Sequence, residues 1–135
     1  ECLDRERVTV AAALGIRART AIEWLHLAYN ATGETLHEAI HNQSGYRGIK
    51  APPTLKHRYI FEDIPASLVP IAAFGRRYGV SVEVIDSIIR LACVVEQTDY
   101  RRRGRTLDKM GVDGLSVSEL NRYVQEGLTD DLESA

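Results

Sequence analysis

Apolar residues recur at three- and four-residue spacing along most of this chain, the period of one face of an α-helix. The opening run LDRERVTVAAAL sets Leu3, Val10, Ala11 and Leu14 close to that period, predicting a first helix with Asp4 as N-cap and Gly15 as C-cap. A second helix is predicted over about residues 17–31, on the stripe Ala21, Leu25, Ala28 and Tyr29, with Gly33 ending it. A short third, about residues 34–42, carries Leu36, Ala39 and Ile40 between His37 and His41. The segment QSGYRGIKAPPTLKH, residues 43–57, holds two glycines and two prolines and reads as an ordered loop. Loops of that length in compact domains tend to carry function.

Beyond the loop, Leu68, Val69, Ala72 and Ala73 predict a fourth helix over about residues 65–78, with Pro65 in its first turn and Pro70 as a bend. Ser81 is placed to cap a fifth helix reaching about Glu96. Its residues Val82, Val84, Ile85, Ile88, Ile89, Leu91, Ala92, Val94 and Val95 are apolar almost all round. Such a helix belongs in a core or under a partner subunit. A polar, glycine-rich stretch follows, and Ser116 with Glu119 forms a capping box for a last helix through about Gln125. No segment alternates as a strand does. The expected class is all-α, with one helical domain over residues 1–127 and an acidic, frayed tail over residues 128–135.

Composition narrows the partners. Seventeen basic side chains against nineteen acidic ones leave no field that favours nucleic acid. The apolar runs fall short of the ~20 residues of a membrane span. Cys2 and Cys93 show no disulfide spacing, which suits a reducing, cytoplasmic setting, and Cys93 reads as a small core residue. A chain starting at Glu1, with its only methionine at Met110, reads as a domain taken from a longer protein.

The densest chemistry lies in HRYIFEDIP, residues 57–65, where His57, Arg58, Tyr59, Glu62 and Asp63 stand among Ile60, Phe61 and Ile64. Charge that close to bulky apolar residues suggests a partly buried site. In a helical turn, Tyr59 and Asp63 share a face and Arg58 and Glu62 occupy the adjacent one. Arg58 could clamp a carboxylate through its planar fork while Asp63 orients another group. A structural Arg58–Asp63 ion pair is the plainer reading.

The motifs HRYIFEDIPASLVPIAAFGRRYGV, VIDSIIRLA and GRTLDKMGVDGLS resemble the helical C-terminal domain of the octopine/nopaline (opine) dehydrogenase family. The resemblance runs from about Leu3 to Tyr123. It implies a helical bundle like the C-terminal domain of 6-phosphogluconate dehydrogenase. It also implies an NAD(P)H-dependent oxidoreductase that reductively condenses an amino acid with a 2-oxo acid. By the same resemblance, Arg58 binds a substrate carboxylate and Asp63 supports a catalytic histidine that belongs to an earlier segment. A Rossmann domain that binds NAD or NADP is expected upstream, leaving this chain alone inactive. A homodimer is a further expectation.

Other constellations compete with that reading. His37-Glu38-Ala39-Ile40-His41 spells the H-E-x-x-H zinc-hydrolase pattern, but no good third ligand follows, and ordinary surface histidines are the better account of it. Arg101, Arg102, Arg103 and Arg105 form a basic cluster that could meet an anion or an acidic neighbour, or simply be solvated. Gly45 to Lys50 lacks the strand and spacing of a phosphate loop, and G-x-G-x-x-G does not occur. The alternative to the enzyme is a helical oligomerisation or interaction module using the fifth helix.

Overall fold

A computed structural model describes residues 1–127, and over these the protein is all-α with no strand. The expected acidic tail, residues 128–135, lies outside the described residues. The elements in order are α1 (Cys2–Ala13), α2 (Ala21–Tyr29), α3 (Leu36–Asn42), a 3-10 turn (Ser44–Tyr46), α4 (Arg58–Phe61), a π turn (Ile64–Leu68), α5 (Val69–Arg77), α6 (Glu83–Glu96), α7 (Tyr100–Arg103) and α8 (Val117–Glu126). No helix among the described residues is long and apolar enough to cross a membrane.

The central core gathers Val10 of α1, Ile64, Val69 and Ala72 of the π turn and α5, Ile85, Ile89 and Ala92 of α6, and Tyr100 of α7. A second cluster of Leu14, Leu107, Val112 and Leu120 seats α8 against the end of α1, and Phe74 packs on both. Burying such side chains contributes roughly 1.5–3 kcal/mol each. Burial of Tyr100 also pushes its phenol pKa above the ordinary value.

Helix starts depart from expectation in informative ways. Asp4 does not cap α1, whose N-cap is Glu1. Asp4 lies inside the helix, pairs with Arg7, and accepts from the Ala21 amide at 2.7 Å. It therefore serves the start of α2. That helix begins later than predicted because Thr20 and Glu23 form a capping box, and it ends earlier, at Asn30, which takes the left-handed φ of +50°. Gly33 lies beyond it. Thr35 and Glu38 form a second box that starts α3 at Leu36. Ser81 does not cap α6 either: Val82 is the N-cap and offers no side-chain oxygen. The carboxylate of Glu6 replaces it, accepting from the Val84 and Ile85 amides at 2.8 and 2.9 Å. A helix N-terminus leaves such donors without internal partners, so an acid from a neighbouring helix satisfies both them and the dipole. Only the last helix starts as read, on the Ser116–Glu119 box.

The predicted fourth helix proves to be a longer, broken rod. It begins at Arg58, carries the π turn at Ile64–Leu68, and continues as α5. Within the turn the Val69 amide donates to the Ile64 carbonyl, five residues back. The Pro65 carbonyl would meet residue 70 in that register, but proline has no N–H. The Arg105 amide takes the vacancy at 2.9 Å. Two prolines five residues apart thus open a docking point for the segment that follows α7. Gly104 makes the fit possible, since a Cβ there would stand 2.8 Å from the Pro65 carbonyl oxygen.

α6 is central but not covered all round. Ile85 and Ile89 are fully buried, whereas Ile88, Leu91, Val94 and Val95 form an exposed apolar stripe.

Candidate functional site

The segment from His57 to Asp63 forms the first turns of the broken rod. His57 caps α4, its Nδ1 accepting from the Tyr59 amide at 3.4 Å, and its ring stands edge-on to Tyr59 with centroids 4.3 Å apart. Ile64 is buried and Ile60 packs on the central core, so one side of the rod is anchored. The other side is open: Arg58, Tyr59, Phe61, Glu62 and Asp63 are all exposed. The expectation of a partly buried site is corrected here. The apolar residues that sink the turn and the charged ones that define it occupy different faces.

Arg58 does not pair with Asp63. Its Nε lies 3.2 Å from Oε2 of Glu62, one helical turn on, and both side chains are more than half exposed. A pair that open is worth little as a stabiliser. It leaves the Arg58 guanidinium largely open to solvent beside a single carboxylate. Asp63, the residue before the π turn, makes no capping bond and is exposed. A guanidinium and a carboxylate on adjacent faces can receive a carboxylate and a proton-bearing group respectively.

Two depressions flank this turn. One, about 680 Å³, is bounded by Tyr46, Arg47, Ile49, Lys50 and Pro52 of the long loop together with Tyr59. The other, about 490 Å³, lies between the rod and the segment after α7. Phe61, Pro65, Ala66 and Met110 provide its apolar surface, and Glu62, Arg103 and Arg105 its charge. The basic cluster is thereby divided. Arg101 shares Asp86 with Arg76, at 2.9 and 2.7 Å, so it is structural. Arg103 and Arg105 make no ion pair among the described residues. Helical spacing sets Glu62 on the same face as Arg58 without pairing them, and the basic cluster names Arg103 and Arg105 without placing them beside Phe61 and Glu62.

The profile of the NAD/NADP octopine/nopaline dehydrogenase alpha-helical domain fits residues 1–96. The chain belongs to the octopine/nopaline dehydrogenase family. It is 35% identical over 125 residues to the opine dehydrogenase of Arthrobacter sp. (strain 1C), covering 93% of this chain and 35% of that protein. The vitopine synthase of Allorhizobium ampelinum is 31% identical over 112 residues, 83% of this chain and 31% of its own length. Protein ocs of Agrobacterium tumefaciens (strain Ach5) is 28% identical over 120 residues, 89% and 34% respectively. The chain therefore spans about a third of the length of the curated relatives it matches. It represents the helical part of an octopine/nopaline dehydrogenase-type protein, and the motif from His57 to Pro65 falls inside the matched residues.

The zinc pattern resolves differently. His37 and His41 lie one turn apart with ring centroids at 4.0 Å, but His41 Nδ1 contacts the His37 carbonyl at 2.8 Å. Glu38, which would be the base, accepts from the amides of Glu34 and Thr35 at 2.8 and 3.2 Å. Those bonds, the Glu34 amide first, hold its carboxyl below the usual range. A carboxylate spent on a helix start is a poor base. No group of three His, Cys, Asp or Glu side chains gathers in ligand geometry among the described residues.

Proposed function

We propose that this chain is the substrate-orienting helical domain of an enzyme that reductively condenses an amino acid with a 2-oxo acid, the hydride coming from NAD or NADP. The observation that carries the reading is Arg58, exposed at the start of an anchored rod with Glu62 3.2 Å from its Nε, within a stretch matched to the family. That the relatives are about three times longer than this chain supports a Rossmann domain elsewhere in the protein as the holder of the nicotinamide. When bound there, the cofactor supplies the hydride chemistry.

The contribution of this chain is binding and proton management. Arg58 receives an α-carboxylate on its outer nitrogens. Asp63 accepts a hydrogen bond from a histidine outside the chain, fixing its tautomer and stabilising its charged form. The long loop beside Tyr59 shapes one wall. In the full-length protein, Arg58→Ala should raise KM for one carboxylated substrate about ten- to hundredfold, the range expected for losing hydrogen bonds to a charged group. Unchanged kcat/KM for both substrates would remove Arg58 from the site.

A second reading, compatible with the first, concerns assembly. The exposed stripe Ile88, Leu91, Val94 and Val95 on α6 is suited to covering by a second copy. Light scattering should then report a mass that rises with concentration and falls back to monomer in Leu91→Glu. A concentration-independent monomer would exclude it.

A further inference from the structure

We propose that Arg105, assisted by Arg103, forms a second carboxylate-binding subsite in the groove between the π turn and the segment after α7. It takes the α-carboxylate that Arg58 does not hold. The inference rests on the condensation reading above. An amino acid and a 2-oxo acid each bring one ionised carboxylate, and their condensed product keeps both. One guanidinium leaves one of these charges without a cationic partner, and a second arginine would fix its position through a charge-assisted, bidentate contact.

The groove offers what the second carboxylate needs. Arg103 and Arg105 line it together with Glu62, whose carboxylate lies 3.2 Å from Arg58 Nε, so the groove adjoins the Arg58 position. Phe61, Pro65, Ala66 and Met110 give a surface suited to a short carbon chain. Its volume of about 490 Å³ falls within the range of small-molecule sites. Lys109 also lines it but is committed elsewhere. Its ammonium contacts the carbonyls of Arg102, Arg103 and Gly104 at 2.7, 3.3 and 3.2 Å, occupying the three donors a lysine has. The two arginines remain as the available donors.

The backbone beneath them is held in place. The Arg105 amide is bonded to the Pro65 carbonyl, Gly104 is buried against the π turn, and Lys109 gathers the carbonyls at the end of α7. A fork presented from a fixed backbone loses less freedom on binding than one on a loose loop. The same docking sets the spacing between the two carboxylate positions, a quantity that an imine joining two acids must match.

The test is steady-state kinetics on the full-length protein with each substrate varied in turn, comparing Arg105→Gln, Arg105→Lys and Arg58→Ala. Arg105→Gln should raise KM for one substrate about ten- to hundredfold while Arg58→Ala does so for the other. Arg105→Lys, which keeps charge but loses the fork, should fall between. KM for the nicotinamide cofactor should not move. The proposal is overturned if Arg105→Gln leaves both substrate KM values within about twofold, if it raises cofactor KM instead, or if both arginine variants raise KM for the same substrate. If Arg58→Ala leaves both values unchanged, Arg58 alone leaves the site; if the wild-type full-length protein does not condense an amino acid with a 2-oxo acid, the condensation reading itself fails, whatever Arg105 does. Should Arg105→Gln fail to fold, the wild-type protein labelled at arginine decides. The Arg105 Nε–H signal should shift with the dicarboxylate product and stay fixed with its diamide, and no shift overturns the proposal.

Discussion

Replacing Gly104 with alanine tests the docking that joins the segment after α7 to the broken rod. Gly104 adopts φ −69° and ψ −175°, a conformation alanine accepts, so backbone strain does not enter. The added Cβ would stand 2.8 Å from the Pro65 carbonyl oxygen, 2.8 Å from Val69 Cγ1 and 2.9 Å from the Tyr100 carbonyl oxygen. All three are well inside the roughly 3.5 Å of comfortable contact, and two are backbone atoms that cannot rotate aside. The segment must retreat, stretching the 2.9 Å bond from the Arg105 amide to Pro65. Overpacking of this kind costs about 1–3 kcal/mol, and a weakened hydrogen bond adds about 0.5–1.5. Reduced freedom of the unfolded chain returns about 0.4–1 kcal/mol. The net expectation is a loss on the order of 2 kcal/mol, read as a fall in melting temperature of roughly 5–10 °C for a domain of this size. Thermal and urea unfolding measure it, with Gly45→Ala as control, where the nearest atom to a new Cβ is Gln43 Oε1 at 3.8 Å. If Gly104→Ala unfolds within about 0.5 kcal/mol of wild type, the docking does not constrain Arg105 and the fixed-backbone argument collapses.

Glu6→Gln should lower stability by about 1 kcal/mol in urea, because the new amide group turns a donor toward a helix start that needs acceptors; wild-type behaviour would mean the Val84 and Ile85 amides find other partners. Acidification should weaken the fold through the capping boxes. Glu23 is held below the usual carboxylate pKa chiefly by the Thr20 amide, Glu38 by the Glu34 amide, and Glu119 by the Ser116 hydroxyl. A depressed folded value means the contribution is complete above the unfolded pKa, about 4.3, and is lost as pH falls through the folded one. Urea midpoints should therefore drop below about pH 4.5, and Ser116→Ala should flatten the curve; a profile identical in that variant would refute the assignment for α8.

Legibility in the sequence followed the range of the interaction. Ser116 with Glu119 is visible because cap and partner lie three residues apart, and the same signature stands at Thr20–Glu23 and Thr35–Glu38. Read there, it would have corrected both helix starts. Asp4 and Glu6 were beyond such a reading: each has a helical position of its own, yet serves amides 17 and 78 residues away. Apolar period alone left open whether the core or a partner covers α6, since it reports which residues avoid water and not which neighbours exist to cover them. For the site, the residue types of the His57–Pro65 motif were plain. The exposure of Arg58 and its pairing with Glu62 depended on which face Ile60 and Ile64 sink.

The extra residue accommodated at Ile64–Leu68 works as an angular spacer. An α-helix advances about 100° per residue, so deleting one position there would let the rod close into regular register and swing everything before it by that angle around the axis. Arg58 and Asp63 would keep their neighbours in sequence but lose their bearing toward the strip of chain that carries Arg105. A single deletion in this short span would be severe even with every side chain of the site unchanged, a sensitivity to length as well as to chemistry.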